Sequence, residues 1–193
     1  NNLLIIVNIK YFMIYFFLKM YSIKIDPKYN KYQNPKIGLI ALASDYMIEK
    51  DFINVIKDKK IDFFVNRIEC FNPLTSENLI KMSEKITEVT KDILPNEKID
   101  CVVYGCTSGT IAAGYQSIEK KIKKAKPEAE VTTPSTASIK ALKKLNLNKI
   151  AIFTPYPKKL NDEVIDFFEK ENFQITSNSY FDIASDIDIG KVD

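Results

Sequence analysis

Histidine and tryptophan are absent from the 193 residues of this chain. Without an imidazole, Ser-His-Asp and Cys-His catalysis are excluded, and so is any metal site that uses histidine. Acid and base chemistry falls instead to Cys, Tyr, Lys, Asp or Glu. Glycine is scarce, at 5 residues, and proline stands at 8; with 46% apolar and 27% charged residues this excludes the disordered and fibrous classes. The three cysteines, Cys70, Cys101 and Cys106, include no CxxC pair, and Cys101 and Cys106 lie too close in sequence for a disulfide framework. A reducing, cytoplasmic setting is expected. The formal net charge of +3 is slight, and the one dense lysine run, Lys120 to Lys126, reads as a solvated helix end. No nucleic-acid partner is expected.

One long apolar run stands at the start, Leu3 to Met20 (LLIIVNIKYFMIYFFLKM). Asn8 and Lys10 interrupt it, no small-residue cleavage site accompanies it, and the chain opens with Asn. Residues 1–19 are therefore read as sequence upstream of a start at Met20, inside an N-terminal extension covering 1–35. A single membrane anchor is the alternative.

From Lys36 onward short apolar runs alternate with amphipathic stretches, the pattern of βα units on a parallel sheet. Six strands are predicted: Lys36–Ala43, Ile61–Ile68, Ile99–Tyr104, Glu130–Thr133, Lys149–Thr154 and Phe173–Tyr180. Leu79, Met82, Ile86, Val89 and Ile93 are spaced as one buried stripe, which predicts a helix from Thr75 to about Leu94, closed by Pro95. Further helices are predicted over Met47–Lys57, Thr110–Ala125, Ser135–Leu145 and Lys158–Glu171. In open α/β sheets the ligand site lies beyond the carboxyl ends of the strands. The candidates are thus Ser44-Asp45, Asn66-Arg67, Cys106-Thr107-Ser108, Thr133 to Thr136, and Thr154-Pro155-Tyr156.

Among these, Gly105-Cys106-Thr107-Ser108-Gly109-Thr110 carries the most chemistry. A cysteine at a strand-to-helix turn meets exposed N–H groups, and these are expected to lower its pKa. Thr107 and Ser108 add hydroxyl donors, so the turn reads as a carboxylate cradle beside a nucleophile or proton carrier. Its spacing fits neither a cysteine phosphatase, since the sixth residue after Cys106 is Ala112 and not Arg, nor a P-loop, since Gly-Lys-Ser/Thr is missing. The structural alternatives are that Cys106 is a small residue in a tight turn, that Asp45 caps the helix from Met47, that Thr133 caps the helix that follows it, and that Tyr156 is a turn residue between prolines.

The segments YGCTSGT (104–110), PSTAS (134–138), ALKKLNLNKIAIFTPY (141–156) and GLIALASDYMIEKDF (38–52) resemble the maleate isomerase and arylmalonate decarboxylase group of the aspartate/glutamate racemase superfamily, in particular its ectoine-utilisation branch. The resemblance implies an α/β fold of two Rossmann-like lobes with parallel sheets, here 36–113 and 114–193, the second cut short at its C-terminus. It implies an isomerase or racemase that needs no cofactor or metal, acts on a small carboxylate, and forms a homo-oligomer. One cysteine from each lobe faces the substrate in that family. Cys106 matches the first, Tyr156 matches a tyrosine donating to an enediolate, Thr107 and Ser108 match donors to a carboxylate or enediolate, and Ser44, Asp45 and Thr133 are further substrate-binding candidates at strand ends. The second cysteine is expected beyond Asp193, so the chain as it stands is expected to be inactive. A decarboxylase using one cysteine and a non-catalytic carboxylate-binding protein are the alternatives. One departure stands out. The group has an asparagine where Asp45 stands, and an ionised Asp there disfavours a dicarboxylate and favours an amino or amide group.

Overall fold

The computed structural model describes residues 24–29, 31 and 34–192. The chain divides into two compact units, Asn1–Gln33 and Asn34–Asp193. The described residues of the first unit carry no helix or strand. The apolar run at Leu3 to Met20 lies outside the described residues. Among the described residues no helix is long and apolar enough to cross a membrane.

All six strands form where the apolar runs predict them: β1 Lys36–Leu42, β2 Asp62–Ile68, β3 Cys101–Tyr104, β4 Glu130–Thr132, β5 Lys149–Thr154 and β6 Gln174–Tyr180. The first four make one parallel sheet in the order β2-β1-β3-β4, and β5 pairs with β6 in a second parallel sheet. Parallel pairing requires a crossover between partners, which the intervening helices supply. These are α1 Ile48–Ile56, α2 Ser76–Ser83, α3 Ile86–Lys91, α4 Thr107–Ala113, α5 Tyr115–Ala125, α6 Pro134–Lys144, α7 Lys158–Lys170 and α8 Asp186–Ile189.

The two-residue period of a strand sorts the first sheet's side chains. Ile40, Leu42, Val102 and Tyr104 face the larger core, shared with Leu79, Met82 and Ile86 on α2 and α3 and with Ile118 and Ile122 on α5. Leu39, Ala41 and Val103 face the other side, against Ile48 and Phe52 of α1 and against Phe63. There Phe52 stacks on Phe63 with centroids 5.4 Å apart.

Three predictions need correction. The helix expected from Thr75 to Leu94 is two helices, because Glu84 N–H and Lys85 N–H bond back three residues, to Lys81 O and Met82 O, and tighten the chain between α2 and α3. The helix expected over Thr110–Ala125 begins at Thr107 and breaks at Gly114, whose φ of +79° suits a residue without Cβ. The first sheet also extends past residue 113, because β4 pairs with β3 and buries Val131. The change of sheet therefore falls between Thr132 and Lys149.

With little glycine available, asparagine closes two helices. Asn146 and Asn172, at φ 56° and 68°, follow α6 and α7. Leu147 N–H then reaches Leu142 O at 3.0 Å, and Phe173 N–H reaches Phe168 O at 3.1 Å, satisfying carbonyls the helix ends would leave free.

Candidate active site

In the order β2-β1-β3-β4 the chain leaves β1 and β3 toward opposite sides, the topology at whose carboxyl ends open α/β sheets bind their ligands. The turn after β3 lies at that point. Cys106 sits in extended conformation as the N-cap of α4, and its Sγ accepts the Gly109 N–H at 3.2 Å. Ser108 Oγ lies 3.9 Å from the same sulfur, and Thr110 Oγ1 donates to Cys106 O at 2.6 Å, fixing the turn. Cys106 is 4% exposed.

That burial reverses the expected shift. Loss of hydration pushes the Cys106 thiol up to about 11, against the Gly109 N–H and the Ser108 hydroxyl, which draw it down, while the charge of Asp186 pushes it further up. The Gly109 N–H and the Ser108 and Tyr104 hydroxyls do not replace the water a thiolate loses. In the ligand-free protein Cys106 is a neutral thiol at neutral pH.

Tyr156, in the loop after β5, packs against the same core as Cys106. Burial and then the Cys106 charge push its phenol up to about 12, while the Ser108 and Thr107 hydroxyls act the other way. Tyr156, Cys106, Thr107 and Ser108 thus form one neighbourhood. Ser135 Oγ holds the Thr107 carbonyl at 3.1 Å and ties α6 to the turn.

Two residues in this neighbourhood escaped the sequence reading. Asp186, at the start of α8, receives a hydrogen bond from Ser44 Oγ, and burial raises its carboxyl above the usual range. Cys70, half-buried after β2, faces the same space. Burial first, then the charges of Asp186 and Cys106, push its thiol up to about 12. Asp186 lies 142 residues from Ser44, so no local pattern connects them.

Other predicted site residues are otherwise engaged. Asp45 Oδ1 accepts the Met47 and Ile48 N–H groups at 2.7 and 2.8 Å, the capping alternative. Ser44 is committed to Asp186. Arg67 donates to the carbonyls of Leu42, Ala43 and Asp45 and pairs with Glu49 at 2.6 Å, which pins the loop after β1. Thr133 is fully buried and forms a capping box with Thr136, so its hydroxyl is used by the helix N-terminus. Among the described residues no group of three or more His, Cys, Asp and Glu is placed to hold a metal ion.

The family model for arylmalonate decarboxylase matches residues 112–193. Maleate isomerase of Geobacillus stearothermophilus is 22% identical over 172 residues, 82% of this chain and 68% of that protein. The crystal structure of the maleate isomerase Iso from Pseudomonas putida S16 superposes with a TM-score of 0.74 at 18% identity, covering 83% of this chain and 69% of the other. The chain is thus similar to maleate isomerases over most of its length and to arylmalonate decarboxylase over its C-terminal part. A cysteine-to-serine mutant of Nocardia farcinica maleate cis-trans isomerase, also at TM-score 0.74 and 18% identity over 83% of this chain and 69% of that one, carries a covalently bound succinylcysteine intermediate. Cysteine chemistry therefore occurs on this fold in a maleate isomerase.

Proposed function

We propose that this protein is a cofactor-independent isomerase or racemase acting beside a substrate carboxylate, with Cys106 as the reacting group. Ectoine or related amino-acid-derivative catabolism is the narrower reading. The observation that supports it is the position of the Cys106 sulfur at the carboxyl end of β3, 3.2 Å from the Gly109 N–H and beside Ser108, Thr107 and Tyr156. In isomerisation the thiol gives up its proton, for which the Asp186 carboxylate is the available acceptor. The sulfur then bonds to one alkene carbon, and the electron pair of the double bond moves into the carboxylate as an enediolate. Rotation about the new single bond and expulsion of the sulfur complete the change. Thr107, Ser108 and Tyr156 are the donors for the developing oxyanion. The charge of Asp186 acts on the thiol, whereas Asp45 is taken up in capping a helix, so a substrate with an N–H group is favoured over a plain dicarboxylate.

A second reading has its own support. A thiol held neutral in the ligand-free site is suited to give its proton to the enediolate left when a malonate loses carbon dioxide. Chiral separation of products and carbon dioxide release, measured on maleate, arylmalonates and amino-acid-derived carboxylates, decide between the two. The assay compares this chain with one continued to the stop codon of its reading frame. Cys106→Ser is expected to abolish turnover, and Tyr156→Phe to lower kcat more than it raises KM. Full turnover in Cys106→Ser would sink both readings, whereas ligand-dependent thermal stabilisation without product in either chain would make this a binding protein.

A further inference from the structure

Tyr104 ends β3, two residues before the reactive turn, and is completely buried among core side chains. Among the described residues its hydroxyl has no hydrogen-bond partner. A buried hydroxyl left unpaired costs folding free energy that phenylalanine of the same shape would not. Its direction gives the reason. A Cβ built on Gly109 would lie 2.7 Å from Tyr104 Oη and 2.8 Å from Cys106 Sγ, so both heteroatoms converge on the Cα of that glycine. The same glycine donates its N–H to the sulfur.

We infer that Tyr104 is a positioning residue for Cys106, its hydroxyl donating to the sulfur when the thiol ionises. The inference rests on the reading of Cys106 as the reacting group. In the neutral state the sulfur is a weak acceptor already supplied by Gly109, and the phenol is left over. Ionisation makes the sulfur a strong acceptor, and an O–H donor beside it then forms a charge-assisted bond. Burial and the neighbouring Cys106 charge hold the Tyr104 phenol well above its ordinary range, so it keeps its proton while it donates. The other titratable groups acting on this space are Cys70 after β2, Asp186 on α8 and Tyr156 after β5. Each is an acid whose ionised form opposes a thiolate, whereas Tyr104 favours one while it stays protonated.

The test uses the full chain labelled with [13Cβ]cysteine. Its three cysteines give three resonances, and Cys106→Ser assigns the relevant one. Following that resonance with pH reports the ionised fraction of Cys106 directly. Tyr104→Phe is expected to lower the ionised fraction about tenfold at each pH from 8 to 10, a one-unit displacement of the midpoint. Its urea stability should equal or exceed that of the parent, since an orphan hydroxyl has been removed. A purely structural role would change the stability and leave the titration in place. As a second variant, 3-fluorotyrosine at position 104 keeps the ring and strengthens the donor, and is expected to displace the midpoint downward. An unchanged Cys106 midpoint in either folded variant overturns the inference, and the fluorinated variant decides alone if Tyr104→Phe does not fold. Neither titration depends on turnover, so loss of the Cys106 assignment in the activity assay and loss of the Tyr104 assignment here are separate results.

Discussion

The two parallel sheets are made of similar strands and end in different surroundings. In the first, Leu39, Ile40, Ala41 and Val102 are fully buried. In the second, β5 buries Ile152 and Thr154 but leaves Phe153 64% exposed, and β6 leaves Tyr180 39% exposed. A groove of about 530 Å³ opens beside β5, lined by Leu142, Ile150, Ile152, Phe153, Val164 and Phe168 among others. An apolar strand reports the capacity to be buried. What lies over it decides whether it is.

The largest expected contrast is in stability. Ile40→Ala should cost about 2–5 kcal/mol, since it empties a position packed on both sides, whereas Phe153→Ala should cost less than about 1 kcal/mol. Urea midpoints measure both. A comparable loss at Phe153 would mean that the second sheet is covered in solution, and the contrast would vanish. Next in size is Gly109→Ala. The added methyl meets Tyr104 Oη at 2.7 Å and Cys106 Sγ at 2.8 Å, so the turn must shift. A loss of about 1–3 kcal/mol in urea is expected, with displacement of the Cys106 carbon resonance.

A third expectation concerns pH. The folded protein holds Cys106 at about 11 and Cys70 at about 12, both above the ordinary 9.0. The folded state then binds more protons than the unfolded chain above pH 9. The stability from each thiol is fully present below that pH and is lost as pH rises toward the folded value, by roughly 1 kcal/mol per unit for a fully buried group. Both thiols sit at the first sheet. Tyr156, raised from 10.0 to about 12, adds its share only above pH 10. Cys106→Ala should flatten the fall in urea midpoint between pH 9 and 10, and an unchanged slope would contradict the burial argument.

The smallest effects are at the caps. Asp45→Ala and Thr133→Ala should each cost about 1 kcal/mol, and Asp45→Asn much less, because an amide oxygen still accepts from the helix. A thermal melt distinguishes these. Equal losses for Asp45→Ala and Asp45→Asn would show that charge, not capping, is the contribution of Asp45.

Much of this molecule was legible in its sequence, for reasons that are local. Strands declared themselves because each apolar run is short and bounded, and the strand-to-helix turn at Cys106 because glycines and hydroxyls surround it. Thr133 and Asp45 show the limit of that reading. The residues that bind anions at loop ends are the same ones that cap helices, and only the observed N–H partners separate the two roles. The split after Ser83 left no trace in the buried stripe, since a three-residue tightening keeps Leu79, Met82 and Ile86 on one face. Tyr104 had a weak local signal, a polar group at the end of a strand that faces the core. Asp186 had none, because its place depends on where the chain returns after β6.

That return has a kinetic side. Leu74 N–H bonds to Ala184 O at 2.8 Å, Asp186 N–H to Asn72 Oδ1 at 3.0 Å, and Ser44 to Asp186 across 142 positions. By comparison the β1 to β3 pairing is held at its start by Lys36 and Asp100, 64 positions apart. Contacts of longer sequence span cost more loop entropy to close and form more slowly. During synthesis the first sheet is complete in the emerging chain well before residue 186 exists to meet it. A newly made chain thus contains every strand of the first sheet, Cys106 included, before the carboxyl of Asp186 has been made.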